Sequence, residues 1–142
     1  MITGTQPSNQ SIVTTSDTFS GQQIVAIKSD GLAYRPTDIA GLRVIGANVS
    51  PEYRAAGTLM IVEEGKTVLC KNSATSAVTS AYNGAQVFVE GTADASDGNG
   101  YVTTVAISTT HSVVAGICRG IDAASGLVKV QAGPLYTRAF SS

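Results

Sequence analysis

The chain has no tryptophan, a single histidine and two cysteines, and charged side chains make up only 13% of its 142 residues, with a formal net charge of −1. So weak a field cannot draw the protein onto a polyanion, which argues against nucleic acid and anionic membrane as partners. No apolar run approaches the roughly 20 residues of a membrane-spanning helix. The opening MITGTQPSNQSIVTT lacks both a basic segment and an apolar segment of the kind that directs secretion. The expected product is therefore made in the cytoplasm and stays there until something else carries it out.

The chemistry-bearing residues are equally sparse. His111 lies in STTHSVV with no neighbouring carboxylate and no G-x-S-x-G nucleophile pattern, and it reads as a loop or strand-end histidine. Glu63 and Glu64 are adjacent, so on a strand they point to opposite faces and cannot form an acid/base pair. The stretch TADASDGNG offers Asp94, Asp97 and Asn99, but it lacks the alternating oxygen ligands and closing acid of a calcium loop. The glycines form neither G-x-x-x-x-G-K nor G-x-G-x-x-G, so no phosphate cradle is indicated. Cys70 in TVLC and Cys118 in VVAGIC match no metal or redox spacing and read as small buried hydrophobes. Whether they pair is open, since only geometry can show it. These absences predict a protein that is not an enzyme and takes no cofactor and no metal.

What the chain does have is a strand-and-turn composition: 31 Ser and Thr, 15 Gly, and apolar runs dominated by Val and Ile. Strand candidates are QIVAIKS, LAYRP, LRVIGANV, TLMIVEEG, KTVLCKN, AQVFVEG, YVTTVAIS, VVAGICRGI and GLVKVQA, separated by turn signals. Ser29-Asp30-Gly31 between the first two marks a hairpin. AGTLMIV and SATSAVTSAYN are each able to hold a turn or short helix, but no segment keeps a helical apolar period over three turns. Alternation puts Val87 and Val89 on one face with Phe88 on the other, and sets Val128 and Val130 opposite Leu127 and Lys129. Strands apolar on both faces need cover on both, as in a closed barrel or a sandwich inside an oligomer. The expected architecture is all-β: a single compact barrel or sandwich over residues 22–131, an extended N-terminal arm over 1–21 and a docking tail over 132–142. The arm holds Ile12, Val13 and Phe19, which an extended chain can insert into grooves or add as a strand to a sheet edge. The tail holds Leu135, Tyr136 and Phe140, too apolar for a solvated end. These six residues are the candidate contacts to a partner surface or a neighbouring subunit.

The ordered set AGLRVIGANV at 40–49, KNSATSAVTSAYNGAQVFVEG at 71–91 and HSVVAGICRGIDAASGLVKVQ at 111–131 resembles the tailed-phage capsid cement, or head decoration, protein family. The resemblance covers about residues 22–131, and it is the order of the motifs that carries it. It implies a viral structural protein on the outer surface of the phage head, made in the host cytoplasm. The implied partners are the major capsid protein, whose subunits it bridges and stabilises, and itself, as a homotrimer. The alternative is a receptor- or glycan-binding module on the virion surface. That reading is weakened by the absence of Trp and by an aromatic content of 6%, because such sites cluster exposed aromatics.

Overall fold

The computed structural model describes residues 9–36, 41–50, 54–90, 99–105 and 113–133. Over these the chain is all-β. Its strands are β1 (Gln10–Thr15), β2 (Ile24–Ile27), β3 (Leu32–Tyr34), β4 (Arg43–Asn48), β5 (Leu59–Glu63), β6 (Thr67–Asn72), β7 (Gln86–Val89), β8 (Tyr101–Thr103), β9 (Val114–Ile121) and β10 (Val128–Ala132), with a one-turn 3-10 helix at Ser80–Tyr82. Every strand from β2 onward falls inside a segment that alternation marks as a strand. The Ser29-Asp30-Gly31 turn joins β2 to β3 as expected: Gly31 takes a φ of 79° and donates to the Lys28 carbonyl, and Asp30 accepts from the Leu32 amide at 2.9 Å. SATSAVTSAYN holds the 3-10 turn, and AGTLMIV holds a turn at Ala56-Gly57, with Gly57 at a φ of 85°, before it enters β5.

The strands form two small closed barrels rather than one. In barrel 1, β1 runs parallel to β3 and antiparallel to β5, β2 pairs antiparallel with β3 and β4, and β4 pairs with β5. Barrel 2 repeats this wiring with β6 to β10 in the places of β1 to β5, including the parallel pair, β6 with β8. The irregularities repeat as well. The register shifts between Val25 and Ala26 where β2 faces β4, and between Val87 and Phe88 where β7 faces β9. Gly46 faces Val25 and Gly116 faces Val87, with φ of 154° and 156°. A Cβ on Gly46 would run into the Glu63 carbonyl oxygen, and one on Gly116 into that of Gln131. The chain is thus a tandem structural duplication, in which a glycine lets two backbones meet at the equivalent bulge of each copy.

Two buried clusters hold this arrangement. The smaller lies inside barrel 1: Phe19, Val25, Ala33, Met60 and Val62, with Val13 and Ile45 packed against it. The larger runs from the outward side of β2 and β4 (Ile24, Ala26, Val44, Ala47) into the interior of barrel 2, so an outer face of barrel 1 is part of the core of barrel 2. Val87, Val89, Val128 and Val130 are buried in it, and Phe88 and Lys129 are half-buried on the other side, as alternation predicts. Asn99 stitches the barrels together: its Oδ1 accepts from the Ile24 amide at 2.6 Å, and its Nδ2 donates to the Leu69 carbonyl at 3.0 Å.

The expected free arm requires correction. Residues 10–15 are β1, paired on both sides, and Phe19 is fully buried, exchanging backbone hydrogen bonds with Arg54 at 2.9 and 2.7 Å. β1 needs few apolar residues because only one side faces the interior. Thr15 supplies its buried end with satisfied polar groups, its hydroxyl donating to the Ala55 carbonyl at 2.8 Å and accepting from the Thr58 amide at 3.1 Å. With β1 already a barrel strand, none is left at this end of the described chain to lend to another sheet.

Candidate functional site

The two most exposed large apolar side chains among the described residues, Ile12 and Leu59, lie on the outer face of β1 and β5 with Ile61 beside them. Alternation sends Val13 and Thr15 of β1, and Met60 and Val62 of β5, toward the interior, so Ile12, Leu59 and Ile61 must point out. The antiparallel register places Ile12 directly opposite Ile61, and Thr14 opposite Leu59. Ile12 is 67% exposed, Leu59 64% and Ile61 40%. At one end the patch is closed by a polar pair, the Gln10 side-chain amide donating to Glu63 Oε1 at 3.1 Å. The equivalent face of barrel 2 sets Leu69 opposite Lys129, so the duplicate replaces the central isoleucine pair by an apolar residue against a charge. An apolar strip rimmed by polar side chains is the usual form of a protein-docking surface.

Of the candidate contacts, Ile12 lies at the centre of this face. Val13 is half-buried against the barrel 1 core, and Phe19 is wholly inside it, so neither is free to anchor a partner. Leu135, Tyr136 and Phe140 lie outside the described residues, as do His111, Asp94 and Asp97. Leu59 and Ile61, absent from the sequence-based candidates, complete the surface. Their signal was the alternation of LMIVE, which is apolar on both faces.

Among the described residues no three His, Cys, Asp or Glu side chains gather into a group able to hold a metal. Cys70 and Cys118 are both buried and unpaired, which answers the disulfide question. Burial pushes the Cys70 thiol up to about 12, far from the thiolate a nucleophile needs. Cys118 points its sulfur at Asn83 Oδ1, 3.6 Å away.

A second feature is a cleft of mixed polar and apolar lining where the barrels meet. Gln22, Gln23, Asn99, Leu69, Lys71 and Leu127 line about 340 Å³ of it, and Gln22 and Lys66 line an adjoining space of about 240 Å³. Gln22 is the only non-glycine among the described residues with positive φ, at 63°. Its amide donates to the Asn48 carbonyl; in the second copy Gly84, at φ 87°, donates in the same way to Cys118. A left-handed conformation costs a side-chain-bearing residue roughly 1–2 kcal/mol, and glycine gives part of that back in the unfolded chain. Gln22→Gly is expected to stabilise the protein by about 0.5–1 kcal/mol, read from the midpoint of urea unfolding at constant slope.

Comparison of the chain with protein-family models, curated proteins and solved structures gave no match.

Proposed function

We propose that this chain is a non-enzymatic capsid cement protein of a tailed-phage head, which binds the outer capsid surface as a homotrimer and stabilises it by bridging major capsid subunits. The observation that carries the reading is the Ile12, Leu59 and Ile61 face on a body whose sheets are both closed. With no sheet edge left open in the barrels, a partner is gripped by side chains on a preformed, rigid surface. The resemblance of its motif order to cement proteins suggests the partner class.

The reading makes a specific demand on the binding experiment. A chain of net charge −1 with an apolar contact surface gains little from long-range attraction. Purified protein added back to heads stripped of it should rebind with an affinity that changes less than about threefold between about 50 mM and about 500 mM salt. Affinity falling by orders of magnitude over that range would mean a charge-driven contact and overturn the proposal.

One observation favours a second reading, a glycan-binding module on the virion surface: Gln22, which lines the cleft, holds a left-handed backbone conformation that its structural counterpart leaves to glycine. Strain of this kind gathers at ligand sites. A glycan array probed with the wild type and with Gln22→Gly separates the readings, since cement function predicts no glycan signal from either.

A further inference from the structure

The duplication leaves each half of the barrel–barrel contact unused once. Within the chain, the outward side of β2 and β4 in barrel 1 is buried against the end of barrel 2, in a cluster with Val68, Val89 and Ala132. Strand pairing fixes the equivalents of both surfaces. The counterpart of the covered end is the open end of barrel 1, where Ser11, Ile27 and Glu64 stand in the places of Val68, Val89 and Ala132. There, instead of a packed core, lies a groove of about 330 Å³ lined by Ser11, Val13, Ile27 and Ile45 among others. The counterpart of the covering face is the outward side of β7 and β9, where Phe88 pairs with Val114 and Gln86 with Ile117. These residues are only half-buried, although their equivalents Ala26, Val44, Ile24 and Ala47 lie in the core of barrel 2.

We propose that the open end of barrel 1 receives the β7–β9 face of barrel 2 from a second copy of the chain, repeating between chains the contact that joins the barrels within one. Continuity with that existing interface names the occupant. The sizes agree: the incoming face carries Phe88 and Ile117 where the intrachain face carries Ala26 and Ala47, and it meets an end that is open where the intrachain one is filled. Such a contact is heterologous, each chain offering a different surface to its two neighbours, so it closes into a ring or propagates. It rests on the duplication and not on the capsid reading, and a ring of three would supply the homotrimer that reading invokes.

The two surfaces can be blocked separately. Phe88→Asp places a charge on the covering face, and Ser11→Arg fills the receiving end from an exposed position. Circular dichroism and thermal unfolding confirm that each variant folds, and Val114→Asp replaces Phe88→Asp if that one does not. Light scattering is expected to give a multiple of 14.5 kDa for the wild type and a monomer for each variant alone. Mixing the variants should restore a 1:1 dimer, because one keeps its receiving end and the other its covering face. A wild type that stays monomeric at about 100 µM, variants that still assemble alone, or a mixture that stays monomeric would each overturn the inference.

Discussion

Gly116→Ala is expected to destabilise barrel 2 severely while leaving it folded in the absence of denaturant. The new Cβ would collide with the Gln131 carbonyl oxygen and come to 2.8 Å from its carbon and 3.0 Å from Ala132 Cα, all backbone atoms of β10. Relief requires the β9–β10 pair to separate, which breaks the pairing of Gly116 with Ala132 and exposes Val128 and Val130, both fully buried. With a φ of 156° disfavoured for alanine as well, the expected cost is about 3–5 kcal/mol. That is much of the 5–15 kcal/mol that stabilises a typical domain. Because the outward side of β2 and β4 packs into the core of barrel 2, barrel 1 should be weakened too. Gly126→Ala is the control: its φ is also positive, at 75°, but nothing lies within 4 Å of the added Cβ, so only the conformational cost of roughly 1–2 kcal/mol applies. Urea titration of the two variants should differ by more than the error of the method. Equal midpoints would mean that the glycine contact between β9 and β10 does not constrain the fold.

The strands from β2 to β10 were legible from Val- and Ile-rich runs between turn signals, and most clearly where inward residues alternate, as in Val87 and Val89 or Val128 and Val130. β1 was not, because its buried positions are filled by Val13 and by a hydrogen-bonded Thr15, a pattern that looks like a polar arm until its partners β3 and β5 are known. Phe19 was misread for the same reason: an isolated aromatic among polar residues becomes a core residue only when Arg54 closes over it. The duplication escaped notice because volume is exchanged between the copies. Val44-Ile45-Gly46-Ala47-Asn48 and Val114-Ala115-Gly116-Ile117-Cys118 keep the first valine and the glycine but swap large for small on either side. Only register shows them to be equivalent. The docking face was half legible: Ile12 was flagged, but its partner Ile61 lies 49 residues away and is brought beside it by pairing that local sequence does not encode.

Ile12→Asp combined with Ile61→Asp is expected to remove head binding while leaving the fold intact. Both side chains are well exposed in the isolated chain and face each other across β1 and β5, so the substitutions cost the barrel little beyond a like-charge pair. On a capsid surface the same positions would lose about 1.5–3 kcal/mol each of apolar burial and would place two carboxylates against a desolvated contact. Together this amounts to a fall in affinity on the order of 100-fold or more. Thr67→Asp on β6, an exposed position on barrel 2 away from this face, serves as the matched control. The decisive measurement is the occupancy of stripped heads as a function of added protein, for the wild type, the double variant and the control, with unfolding midpoints recorded for each. The account predicts saturable binding by the wild type and control and none by the double variant at the concentrations that saturate them. Saturation of the heads by all three proteins at the same concentration would contradict it.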